Sequence, residues 1–125
     1  MIALLLTLAL GAAEIDAKAR YSPALDACLK SGDAANGVSV AMATCFNYEL
    51  TRQDARLNAA YKVAMAKRSA VAQKTLRAAQ RAWIKRRDAE CQENLTGGTI
   101  DMVERSSCHL ELTTIRAVEL ERMGR

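Results

Sequence analysis

Four cysteines, placed as two pairs with the same spacing, restrict this chain more than any other feature. Cys28 and Cys45 lie seventeen positions apart, and so do Cys91 and Cys108. In a small exported chain thiols oxidise and pair. Of the three ways to join four cysteines, the repeated spacing favours the two local bridges, Cys28–Cys45 and Cys91–Cys108. Each then staples a helix end to its neighbour across an intervening turn. A loop of this size stabilises a fold by about 3 kcal/mol in the chain-entropy account. Zinc is the rival reading of four cysteines. The sequence lacks the close C-x-x-C pairs of such sites and has a single histidine, His109, so no metal is expected.

Export is read from the first residues. Met1 to Ala13 holds an apolar run, Ile2 to Leu10, then Gly11-Ala12-Ala13 and the acidic Glu14. The run is too short to span a bilayer and ends in the small residues that a signal peptidase needs. Residues 1–13 therefore read as a signal peptide and 14–125 as one domain of a periplasmic or secreted protein. No cysteine follows the apolar run where a lipid anchor would attach. The chain is not expected to span a membrane.

Half of the 125 residues are hydrophobic but only 4% are aromatic, with one proline and six glycines. Such a chain fills its core with Ala, Leu and Met and favours helices over sheet. The expectation is an all-α, small antiparallel bundle: a short N-terminal helix and three longer ones, with two disulfides. Ser22-Pro23 starts the short helix, which runs to about Lys30, and Gly32 to Gly37 supplies a turn. A long helix covers about Val38 to Arg68, and Ser69 can cap the next. That central helix extends to about Asn94, where Thr96-Gly97-Gly98 forms a loop. Thr99, or Asp101 with Glu104, then caps a last helix ending near Met123.

The central helix concentrates the informative residues. Leu76, Gln80, Trp83, Arg87 and Cys91 share one face, so Gln80 and Arg87 stand in line with the sole tryptophan. On the preceding helix Asp54 and Asn58 follow Leu50, Leu57, Tyr61 and Met65. On the last helix Cys108, Leu112, Arg116 and Leu120 recur every four residues. The expected core is Leu57, Tyr61, Leu76, Trp83, Leu112 and Leu120. Buried polar groups need partners. Folding the two helices back about Ser69 brings Asp54 near Trp83 and Arg87. The expectation is a buried network of Asp54, Asn58, Gln80, Arg87 and Arg116, with Asp54 paired to Arg87 or Arg116.

The pattern Asp54-x-x-Leu57-Asn58-x-x-Tyr61, then Ala79-Gln80-Arg81-Ala82-Trp83-Ile84 with Arg87-Asp88-x-x-Cys91, then Gly97-Gly98, then Cys108 with Leu112-Thr113-x-x-Arg116, resembles the LprI-like lysozyme-inhibitor N-terminal domain family. The match spans roughly Cys28 to Leu120. The resemblance implies a secreted or periplasmic helical domain and, for its function, a protein-binding module that inhibits a lysozyme.

Charge argues against the simplest form of that function. The domain keeps a formal charge of +4 after loss of residues 1–13, which hold no charged side chain. Two basic proteins repel at low salt. An inhibitor of a basic lysozyme needs a local acidic patch, for which Glu104, Glu111, Glu119 and Glu121 are the candidates. The alternative function is a structural or stress-related envelope factor. It would bind anionic polymers or surfaces through the basic face Arg77, Arg81, Lys85 and Arg86. Aromatic interleaving for base stacking is absent, so nucleic acid is not an expected partner. His109 reads as a surface histidine. No nucleophile–base pairing, phosphate loop or cofactor motif is present, so no catalytic residue and no cofactor are assigned and an enzyme is not expected.

Overall fold

The computed structural model describes residues 14–125; the expected signal segment, 1–13, lies outside them. A 3-10 turn at Lys18–Arg20 precedes α1 (Pro23–Leu29), α2 (Gly32–Ala35), α3 (Ser39–Ala66), α4 (Ala70–Glu90) and α5 (Asp101–Met123). The fold is all-helical. Both local disulfides are formed, Cys28–Cys45 and Cys91–Cys108, with Cα separations of 5.7 and 5.6 Å. No helix among the described residues is long and apolar enough to cross a membrane.

Short-range chemistry sets most boundaries. Ser69 Oγ accepts the N–H of Ala72 and caps α4 at the break anticipated at Lys67-Arg68-Ser69. The segment expected to be a plain turn instead winds one helical turn, α2, between Gly32 (φ +53°) and Gly37 (φ +79°). Both glycines take the left-handed conformation that other residues resist. Helix α4 stops at Glu90 rather than near Asn94, with Cys91 as its C-cap. The last helix lacks the expected side-chain cap. Asp101 lies inside its first turn and reaches back, accepting N–H groups from Thr96 (2.8 Å) and Gly97 (2.7 Å). Its carboxylate closes the glycine loop, whose free amides are the nearer donors. Ser22 does precede Pro23 at the start of α1, but its side chain bonds elsewhere, as described below.

Helices α3, α4 and α5 run up, down and up. Consequently α3 and α5 are parallel: Arg56 pairs with Glu121, and Lys67 bonds the carbonyl of Gly124. Among the described residues these two helices share the most extensive contact. Small residues make this possible, with Ala60 and Ala64 on α3 facing Ala117 on α5, all nearly or fully buried. Gly124 is part of the same seam, since a Cβ there would meet Val63 at 3.1 Å. Helix α4 returns antiparallel to both, linked to α5 by Gln80–Arg116 and Cys91–Cys108. It stands farther off because Leu76 and Trp83 occupy the space between.

The core has two parts. One joins Leu57, Leu76, Trp83 and Leu120 with the alanine seam, and Tyr61 and Met65 pack against it. The other gathers Leu25, Ala34, Cys45 and Leu110 where α1 and α2 lie on α3. Leu112 departs from expectation: it is only half-buried, and Leu110, Thr113, Thr114 and Ala117 point inward instead. A strict four-residue spacing advances about 40° per step around a helix, so the row from Cys108 to Leu120 cannot all face one way.

Candidate functional site

The same drift relocates the polar groups. On α3 the deepest row is Cys45, Glu49, Gln53, Leu57, Ala60 and Ala64, facing α5. Asp54 and Asn58 each lie one residue beyond this row, about 100° around the helix, and are exposed. Neither has a hydrogen bond or ion pair among the described residues. The expected pairing of Asp54 with Arg87 or Arg116 is therefore corrected.

Arg116 is 7% exposed and donates from Nε to Gln80 Oε1 at 2.9 Å, with Glu119 3.7 Å away. Burial lowers its pKa, partly opposed by Glu119. Arg87 lies over the Trp83 ring, 5.0 Å from its centroid, and pairs with neighbouring Asp88 at 3.0 Å. It also donates to Thr113 at 3.4 Å. Both arginines find local partners, so neither needs Asp54. Asp54→Ala should accordingly change the unfolding free energy by no more than about 0.5 kcal/mol. A large fall in the thermal midpoint would contradict this.

The buried carboxylate is one that the sequence reading missed. Glu49 is fully buried and accepts from the Ser22 N–H and Oγ, both at 2.6 Å, from Arg52 Nε at 2.7 Å and from Gln53 Nε2 at 3.1 Å. Burial pushes its pKa up, but the bonds from Ser22, Arg52 and Gln53 outweigh it and hold the carboxyl below its ordinary value. The signal was present in the sequence, since Glu49 is four residues from Cys45 and eight from Leu57. This cluster ties the start of α1 to α3.

Three surface features remain. A groove of about 800 Å³ opens beside the glycine loop, and Glu90, Glu93, Glu104 and Glu111 line it. Half-buried Tyr21 stands in the same wall. Its hydroxyl is pushed up to about 12 by burial and by the negative charge of Glu111, Glu49 and Asp16. Of the anticipated acidic residues, Glu104 and Glu111 belong here; Glu119 and Glu121 do not, being taken up by Arg116 and Arg56. At the same end of the bundle Val40, Ile100 and Met102 are exposed apolar side chains. His109 is half-buried there rather than on the open surface, 4.0 Å from Asp88, with its pKa lowered by burial and by Arg87.

The second feature is a groove of about 380 Å³ between α3 and α4, lined by Asp54 and Asn58 from α3 and by Arg77, Arg81, Trp83 and Arg87 from α4, so Asp54 does come near Trp83 and Arg87, without an ion pair. The third is the remainder of the basic face, with Lys85 and Arg86 exposed on α4. Among the described residues no group of three or more His, Cys, Asp or Glu is placed to hold a metal ion.

These features define a disulfide-braced helical domain that presents oppositely charged surfaces. A family model described as "Lysozyme inhibitor LprI" matches residues 30–120, and the chain belongs to that family. The family is one of inhibitors rather than enzymes, and with the two disulfides it marks an extracytoplasmic protein. No curated protein and no solved structure matches the chain.

Proposed function

We propose that this protein is a non-enzymatic, periplasmic or secreted protein-binding module that inhibits a lysozyme. The family match over residues 30–120 carries the reading. The acidic groove supports it, because it answers the electrostatic objection raised by the net charge of +4. A basic enzyme is steered by the local field of Glu90, Glu93, Glu104 and Glu111, not by the net charge. Exposed Val40 and Met102 line a separate pocket with His109 at the same end of the bundle and supply apolar contact area of the kind that interface centres use.

Purified protein at micromolar concentration is expected to slow a basic lysozyme, and added salt should weaken the effect steeply. Reversing charge at Glu104 and Glu111 together, to lysine, should weaken inhibition about tenfold or more. Unchanged activity of several basic lysozymes in the presence of the unaltered protein would refute the reading. That result would leave the alternative, an envelope factor holding anionic polymers through the basic face Arg77, Arg81, Lys85 and Arg86.

A further inference from the structure

We propose that the groove between α3 and α4 binds an acidic saccharide, its carboxylate held by Arg77 and Arg81 and its hydroxyls by Asp54 and Asn58. The starting point is a set of polar groups without a folding role. Among the described residues no buried side-chain nitrogen or oxygen lacks a partner. Yet Asp54, Asn58, Arg77 and Arg81 line one groove and engage nothing. Arg77 and Arg81 are one turn apart, so two like charges sit side by side, an arrangement that weakens a helix. Folding does not account for it, whereas an anion between them would relieve it.

The composition of the groove narrows the ligand. Two guanidinium groups present planar forks that match a carboxylate. Opposite them Asp54 is an acceptor that would repel a bare anion, and Asn58 offers both a donor and an acceptor. A ligand that satisfies both walls carries a carboxylate for the arginines and hydroxyl donors for Asp54 and Asn58, as each ring of a uronic acid does. Phosphate alone, or the side chain of an acidic peptide, leaves Asp54 facing negative charge. Half-buried Tyr61, with Leu57 and Trp83, also lines the groove. They give a sugar ring an apolar surface, and the volume of about 380 Å³ falls within the range of small-ligand sites. This groove shares no residue with the acidic groove.

The test is a titration of the full chain, disulfides intact, with digalacturonic acid, read by the fluorescence of the sole tryptophan and by calorimetry. Cellobiose, N-acetyl-aspartyl-glutamate and inorganic phosphate serve as comparators. Saturable binding of digalacturonic acid is expected, with each comparator at least about tenfold weaker. Arg77→Ala and Arg81→Ala together should reduce affinity about tenfold or more, and Asp54→Ala should also reduce it. Lys85→Ala, on the outer face, should not. All four positions are exposed, and circular dichroism verifies that the variants fold. Absence of a saturable signal at about 10 mM digalacturonic acid overturns the proposal. So does equal binding of the dipeptide or of phosphate, which would mark a general anion site. The titration needs no lysozyme and the lysozyme assay no saccharide, so either reading can fail alone.

Discussion

Replacing Glu49 by alanine is expected to lower the unfolding free energy by about 3 kcal/mol and the thermal midpoint by on the order of 10 °C. The side chain is fully buried, and its removal strands the Ser22 N–H and hydroxyl and takes a partner from Arg52, while Gln53 keeps its bond to the Arg20 carbonyl. Glu49→Gln keeps the shape and removes the charge. It should show a smaller loss at neutral pH and a flatter response to acid. The folded carboxyl titrates below its ordinary value of 4.5, so the stability it contributes is fully present above about pH 4.5. That contribution is lost as pH falls through the lowered folded value. Glu121, held low chiefly by Arg56, acts in the same direction. Chemical denaturation at several pH values between neutrality and strong acid checks both points. A Glu49→Ala midpoint within a degree or two of the parent would refute the assigned role.

Removing either disulfide should cost about 3 kcal/mol, and removing both should leave a chain that barely folds. The two bridges differ in what they couple to. Cys28–Cys45 holds α1 against α3, and Ser22, at the start of α1, supplies two of the bonds to Glu49. Cys28→Ala with Cys45→Ala should therefore blunt the effect of Glu49→Ala, with non-additivity above about 0.5 kcal/mol. Cys91–Cys108 joins α4 to α5 away from that cluster, so Cys91→Ala with Cys108→Ala should add independently. Denaturant midpoints across the two double-variant cycles give the answer. Equal additivity in both would show that α1 does not depend on its bridge.

Much of the architecture was legible because its signals are local. The cysteine spacing gave the bridges, Ser69 gave the break between α3 and α4, and the Leu76–Trp83 face gave the inward side of α4. What failed was rotation about a helix axis. Four-residue rows place Asp54 and Leu112 inward. A helix turns about 100° per residue, and over several turns such a row leaves the core. The bonding of Glu49 is not legible from spacing, because its partner Ser22 is far away in sequence and carries the local signature of a helix cap. The acidic groove is half legible: Glu104 and Glu111 stand out on the last helix, but Glu90 and Glu93 join them only through the turn that Cys91–Cys108 braces. The placement of Gln80 beside Arg116 depends on how α4 crosses α5, which no spacing within one helix encodes.

The alanine seam between α3 and α5 also governs the order of events when the chain is made. Its two halves are separated by all of α4 and the glycine loop, so the contacts that define the centre close a long loop, which slows folding relative to a bundle of adjacent hairpins. Synthesis delivers the N-terminal strip first, and the 23-residue α5 arrives last. Until then Leu57, Ala60 and Ala64 on α3 lack their partners on α5. Truncation of even the final two turns should thus abolish cooperative unfolding rather than merely fray an end, and a chaperone that shields α3 would act on the chain before α5 emerges.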